Sequence, residues 1–214
     1  MSGWPGKTVI GLTGNIATGK SVVRKMLEHL GAYGIDADAL GHRAIAKGAP
    51  AYQPVLNTFG RWVLGPDEQI DRSKLARIVF GDPEALARLE TIVHPLVRQA
   101  VDILVRRSKE RVIVLEAIKL LESPLRASCD SIWTTYTPPE VQLSRLVQKR
   151  GMTPAAARQR ILAQSAQEEK MAVAKVVIHN DGTFEDTWRQ VSAAWRTMFP
   201  AAQTEPLKPV TPTV

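Results

Sequence analysis

Eight consecutive residues, Gly14-Asn15-Ile16-Ala17-Thr18-Gly19-Lys20-Ser21, follow the spacing G-x-x-x-x-G-K-[ST]. That pattern wraps phosphates. The glycines let the loop approach closely, so that backbone N–H groups converge on phosphate oxygens. Lys20 adds a positive charge at the β- and γ-phosphates, and the Ser21 hydroxyl is a ligand for Mg²⁺. The loop follows the apolar run Val9-Ile10-Gly11-Leu12. It opens a helix whose N-terminal dipole adds to the anion site. Val22, Val23, Met26, Leu27 and Leu30 give that helix an expected apolar face. The chemistry to expect is that of a bound nucleoside triphosphate.

Carboxylates form a second constellation. Ile35-Asp36-Ala37-Asp38 sets two aspartates at the end of an expected second strand, and ligands of open α/β sheets bind at the carboxyl ends of strands. Transfer of a phosphoryl group to a hydroxyl needs one carboxylate to accept the proton and others to help hold Mg²⁺. One of the two aspartates is also expected to cap the helix carrying Leu40, Ala44 and Ile45. Glu116 closes the third apolar run, either reaching Mg²⁺ through water or lying as a surface carboxylate. Lys119 and Glu122 follow it. A third cluster is basic: Arg145, Lys149, Arg150, Arg158 and Arg160 bracket Gly151-Met152-Thr153-Pro154. Arginines on such a hinged segment can close on a triphosphate and stabilise spreading charge. Arg150, directly before the hinge glycine, is the first candidate.

The elements that must position these groups read as α/β. Short apolar runs at Thr8–Leu12, up to Ile35, Val112–Leu115, Ser131–Thr135 and Val176–His179 alternate with helical patterns, which predicts a parallel sheet flanked by helices. Asp82-Pro83-Glu84 and Thr153-Pro154 read as an N-cap followed by proline at the first helical position. Thr137-Pro138-Pro139-Glu140 reads as a capping box with the same device. The helix from Pro83 is long, with Leu86, Leu89, Val93, Leu96, Val97, Val101, Leu104 and Val105 on its apolar side and a kink expected at Pro95. The stretch from about 50 to 110 is too long for a simple crossover and predicts a helical insertion over the site.

With 214 residues, 44% hydrophobic and 23% charged, the chain has the size and composition of one soluble domain with a full core. Its net charge of +7 suits anionic ligands. Without a run of interleaved aromatic and basic residues, no nucleic-acid partner is expected. No stretch is apolar enough to span a membrane, and no signal-peptide core is visible. The single cysteine, Cys129, allows no internal disulfide and suits a reducing cytoplasm. It reads as a small half-buried residue. Residues 200–214, with four prolines, read as a disordered tail after a single domain over 1–199.

From about Val9 to Thr183 the chain resembles the dephospho-coenzyme A kinase family. The resemblance rests on the phosphate loop from Gly11 to Ser21, the aspartate pair Asp36 and Asp38, and the block from Ile70-Asp71-Arg72 to Phe80. It extends through Leu89 to Val97 with His94-Pro95-Leu96-Val97, Arg160-Ile161-Leu162-Ala163-Gln164, and Val177-Ile178-His179-Asn180-Asp181-Gly182-Thr183. It implies a P-loop kinase core with a helical substrate-binding insertion and a lid over about 138–170. The implied activity is transfer of the ATP γ-phosphate to the ribose 3′-hydroxyl of dephospho-coenzyme A, with Mg²⁺. In that reading Asp38 is the base, the catalytic Lys20 handles triphosphate and Mg²⁺ together with Ser21, and Arg150 stabilises transferred charge. Residues Gly14, Asn15, Ile16, Ala17, Thr18, Gly19, Lys20 and Ser21 hold ATP, with Asn180 and Gly182 near the adenine. Asp38, Arg72, His94 and Pro95 face the acceptor, and Ser21 and Asp36 serve the metal.

Two departures stand out. Ile118-Lys119-Leu120-Leu121-Glu122 replaces a segment that usually reads Pro-Leu-Leu-Phe-Glu. The loop carries Asn15, Ala17 and Thr18 where the family is richer in glycine and serine. These loop positions are expected to act mainly through backbone, with little effect. A related kinase for a nucleoside or other small alcohol would use the same loop, base and lid. A GTPase would need an N-K-x-D segment, and none occurs.

Overall fold

The computed structural model describes residues 3–200; residues 201–214 of the expected tail lie outside the described residues. Five strands, β1 (Thr8–Thr13), β2 (Ala32–Asp36), β3 (Val112–Glu116), β4 (Ser131–Tyr136) and β5 (Val176–His179), form one sheet in the order β2-β3-β1-β4-β5. Every pairing is parallel. The phosphate-loop strand is therefore central, which aims the loop at the middle of the sheet's carboxyl edge. Four of the five strands run one residue or so beyond the sequence-based ends, so that Asp36 and Glu116 are strand residues paired with each other.

The period of two along each strand sorts apolar side chains onto two faces. Val9, Ile113, Leu115 and Ile132 pack on one side with Leu40, Val97, Val101 and Val105. Ile10, Leu12, Val112, Val114 and Trp133 pack on the other with Val23, Met26, Leu27, Val191 and Trp195. The first face is covered by α2 (Ala37–Ala44) and α5 (Pro83–Arg107), the second by α1 (Lys20–His29) and α9 (Phe184–Met198). On α1 the residues Val23, Met26 and Leu27 are buried, but Val22 is 41% exposed. It sits one position off the buried stripe and does not belong to the apolar face.

Between β2 and β3 lie α3 (Tyr52–Phe59), a short 3₁₀ turn, α4 (Arg72–Val79) and α5. They close a separate apolar cluster around Val55, Leu56, Phe59, Leu75 and Val79, to which the first half of α5 adds Leu86, Leu89 and Leu96. The helix α5 is thus shared: its first half serves this cluster and its second half the sheet. It continues as one helix through Pro95. Between β4 and β5 come α6 (Pro139–Arg150), α7 (Pro154–Leu162) and α8 (Gln167–Val173). Gly151, at φ +62°, makes the left-handed turn from α6 to α7.

The capping devices divide. Asp82 accepts from the Glu84 N–H, and Thr153 from the Ala156 N–H, as the cap-then-proline spacing predicts. Thr137 does not cap α6: Pro138 is the capping residue and makes no side-chain bond. Thr137 is fully buried, and its hydroxyl donates to the carbonyls of Tyr136 and Asn180 instead. The cap position falls on Pro138, one residue after Thr137, so the hydroxyl is left for the interior.

Candidate active site

The phosphate loop is held open by glycines at two points of close approach. A Cβ on Gly14 would come within 2.3 Å of Thr135 Oγ1, and one on Gly19 within 1.8 Å of Asn180 Nδ2. Ala17 adopts φ +62°, a left-handed conformation that costs a non-glycine residue roughly 1 kcal/mol. Lys20 and Ser21 begin α1, so their N–H groups have no acceptor within the helix.

Lys20 is buried, and its ammonium donates to the Gly14 and Asn15 carbonyls at 2.9 and 3.2 Å. Burial lowers its pKa to about 8, against the opposing pull of Glu116 and Asp38. A desolvated ammonium at this point awaits anionic oxygens. Arg150, exposed at the end of α6, is close enough to Lys20 for its charge to bear on that ammonium.

The carboxylates divide their tasks. Asp36 is the N-cap of α2, accepting from the Ala39 N–H at 2.8 Å. Asp38 sits in the first turn of that helix and accepts from the Ile118 N–H at 3.0 Å through Oδ2. Burial raises its pKa, opposed by that bond and by the Lys20 charge. A carboxylate made more basic by desolvation, one loop away from the phosphate lysine, has the properties of a proton acceptor. Glu116 is only 4% exposed, which removes the surface-carboxylate alternative. It accepts from Ser21 Oγ at 2.9 Å and from Arg24 Nε at 2.7 Å. Arg24 also pairs with Glu28. One hydroxyl and buried or partly buried carboxylates are hard oxygen donors that suit Mg²⁺, an ion that retains waters and relies on substrate phosphates. Among the described residues no group of three or more His, Cys, Asp or Glu is disposed to hold a metal by itself.

Asn180 and Arg145 form a brace beside the loop. The Asn180 amide donates to the Thr18 carbonyl at 2.9 Å and accepts from Thr187 at 2.9 Å. Arg145 donates to the carbonyls of Asn180 at 2.6 Å and Ala17 at 3.1 Å. Gly182 lies in the turn just before the Thr183–Asp186 capping box of α9. Arg72 starts α4, and its charge bears on His42, as do those of Asp38 and Asp36. His94 lines a small hollow with Val97, Arg98 and the Ser123–Leu125 turn, while Pro95 is exposed on the same helix. Lys119 pairs with Glu90 of α5 at 3.4 Å, tying the departed segment after β3 to the helix that carries His94. Cys129 is half-buried, and burial pushes its thiol up to about 12, so it stays a protonated packing residue.

Sequence reasoning missed two contributors. Gln164 Oε1, just after α7, accepts the Ile16 N–H at 2.7 Å and so holds a loop amide. Lys170 is 3% exposed, although Glu168-Glu169-Lys170 reads as a solvated charge run. Only the three-residue spacing to buried Gln167 hints that it faces inward. The expectation that position 15 acts mainly through backbone is also corrected. The Asn15 side chain donates to the Ser165 carbonyl at 2.8 Å and accepts from Lys170 at 2.8 Å, because it is 4% exposed against α8 and has to satisfy both ends of its amide.

The family model described as dephospho-CoA kinase matches residues 8–186. The chain belongs to the dephospho-CoA kinase family. The dephospho-CoA kinase of Geobacter metallireducens is 44% identical over 191 residues, 88% of this chain and 95% of that one. The one from Aquifex aeolicus is 41% identical over 187 residues, with 87% and 95% covered. A crystal structure from Thermus thermophilus superposes with a TM-score of 0.81 at 30% identity, covering 90% of this chain and 98% of that one. A shikimate kinase from Bacteroides thetaiotaomicron, at a TM-score of 0.51 and 13% identity over 89% and 98% of the two chains, shares the P-loop kinase fold alone.

Proposed function

We propose that the chain phosphorylates the ribose 3′-hydroxyl of dephospho-coenzyme A with ATP, giving coenzyme A and ADP, with Asp38 as the base. The observation that carries this role is the desolvated Asp38 carboxylate at the sheet's carboxyl edge, beside the buried Lys20. The acceptor oxygen forms a bond to the γ-phosphorus as the bond to the β–γ bridging oxygen breaks. The hydroxyl proton passes to Asp38, whose raised pKa favours accepting it. Lys20 and the first-turn N–H groups of α1 hold the phosphates, and Arg150 adds charge as the phosphoryl group moves. Ser21 and Asp36, with Glu116 behind Ser21, would hold Mg²⁺, which neutralises phosphate charge when bound.

Residues from about 50 to 110 serve in this reading as the acceptor-binding insertion, presenting Arg72, His94 and Pro95, and residues from about 138 to 170 as the lid. Asn180 and Gly182 border the adenine. A small soluble substrate, a single protonated cysteine and the absence of any membrane-length apolar helix among the described residues suit a cytoplasmic enzyme.

The test is incubation of the pure protein with ATP, Mg²⁺ and dephospho-coenzyme A, with adenosine and other nucleosides as parallel acceptors, read by mass spectrometry. One added phosphate on dephospho-coenzyme A is the expected result. Transfer to a nucleoside alone would replace this acceptor by another and leave the nucleotide site standing.

A further inference from the structure

Lys170 is a buried cation that the transfer scheme above does not use. It stands on α8, and its Nζ donates to Asn15 Oδ1 at 2.8 Å and to the Ile118 carbonyl at 3.0 Å. Both acceptors are neutral. Burial lowers its pKa, while Glu122, Asp38 and Glu169 oppose the shift. Holding an ammonium in such a place is unfavourable unless its hydrogen bonds organise something.

What they organise is a three-way junction. Asn15 belongs to the phosphate loop, and its amide is gripped at both ends, by Lys170 and by the Ser165 carbonyl. Ile118 belongs to the segment after β3; its N–H holds Asp38 and its carbonyl accepts from Lys170 and from Thr13 Oγ1 at 3.1 Å. The third arm is the chain leading out of α7, where Gln164 holds the Ile16 N–H. One ammonium thus joins the loop that carries the phosphates to the residue that orients the base. A residue without a side-chain acceptor at position 15 would leave that ammonium one acceptor short.

We propose that Lys170 is a positioning residue of the transfer step, fixing the phosphate loop through the Asn15 side chain and the Asp38-bearing edge through Ile118. The proposal rests on the phosphotransfer reading. Binding of ATP needs only the loop, whereas transfer needs loop and base in mutual register within a fraction of an ångström. The role should therefore show mainly in kcat.

The experiment compares wild type, Lys170→Met, Lys170→Arg, Asn15→Ala and the Lys170→Met/Asn15→Ala double variant in coenzyme A formation, ATP affinity and thermal unfolding. Loss of two buried hydrogen bonds predicts a drop in kcat of about 30-fold for Lys170→Met, with KM for ATP changed by less than about threefold. Lys170→Arg, which keeps charge and donors, recovers part of kcat. In the Asn15→Ala background the further loss from Lys170→Met shrinks, because one shared contact is already gone. A kcat within about threefold of wild type, or strictly additive losses, overturns the proposal. So does a fall in unfolding temperature with kcat per active site preserved. If Lys170→Met does not fold, Asn15→Ala alone decides: it empties no charge and has to lower kcat. If wild type makes no coenzyme A, the acceptor reading fails separately. The Lys170–Asn15 coupling is then measured in the rate of γ-phosphate transfer from ATP to the acceptor that is used, or to water, and additive losses there overturn it.

Discussion

Ser21 Oγ donates to Glu116 Oε1 at 2.9 Å, across the gap between the first turn of α1 and the last residue of β3. The other Glu116 oxygen is held by Arg24, so the carboxylate has one fixed side and one side facing the hydroxyl that the loop pattern assigns to Mg²⁺. In the proposed mechanism the charge of Glu116 would serve the metal, through Ser21 or through metal-bound water. Glu116→Gln, which keeps the shape and removes the charge, should raise the Mg²⁺ concentration for half-maximal rate by about tenfold, an estimate from the strength of charge-assisted bonds. Affinity for metal-free ATP should stay near wild type. A Mg²⁺ titration of initial rate measures this, and an unchanged midpoint would reduce Glu116 to a strut for Arg24.

Asp38 separates chemistry from binding. Asp38→Asn keeps the bond from the Ile118 N–H but cannot take a proton, so kcat should fall by at least about 100-fold while ATP affinity holds. The raised pKa of Asp38 sets a sign for pH. The base works when ionised, so activity is lost as pH falls through its pKa, and that acid limb should lie above the ordinary aspartate value of about 4. A kcat–pH profile with no limb there, or an Asp38→Asn variant of wild-type turnover, would reject the assignment.

Much of this arrangement was legible in the residue types. The loop, the parallel sheet and the paired aspartates carry their own local signatures of spacing and period, while the late Asn180 segment was legible only through the family resemblance. What stayed hidden was decided by packing across long sequence separations. Thr137 has a capping-box spacing, yet a buried partner 43 residues away took its hydroxyl. Glu116 could equally have been solvated until Arg24 and Ser21 closed on it. Lys170 lies 155 residues from Asn15, and nothing in a charged run announces an inward-facing ammonium. Asn15 was misjudged for the same reason, since loop backbones follow a pattern and side-chain partners do not.

Lys20 should reveal itself as a proton-linked site. Its pKa near 8 in the empty protein lies below its usual 10.5, and polyphosphate charge raises it again. Near pH 8 about half a proton should therefore be taken up on ATP binding, and close to none at pH 6, where the ammonium is already complete. The same shift makes the unfolded chain bind more protons between the two values. The unfavourable contribution of this lysine to stability is then full below pH 8 and fades as pH rises toward 10.5. Calorimetric titration in two buffers of different ionisation heat reads the uptake. Lys20→Met should abolish most of it, and equal uptake in that variant would shift the effect to another group.

Gly19 is where loop geometry and the Asn180 brace meet. Its φ of +90° favours glycine, and a Cβ there would stand 1.8 Å from Asn180 Nδ2. Gly19→Ala therefore imposes backbone strain of about 1–2 kcal/mol. It also expels Asn180 from its bonds to Thr18 and Thr187, for a further loss of about 1–2 kcal/mol. At this chain length the sum corresponds to a fall in unfolding temperature of roughly 5–15 °C, with ATP binding severely weakened. The two causes separate in a second variant. Asn180→Ala combined with Gly19→Ala removes the collision but leaves the strain, so the pair should be more stable than the two single losses added together. Additive losses would mean that Asn180 and Gly19 act on the loop independently, and that the brace does not set its shape.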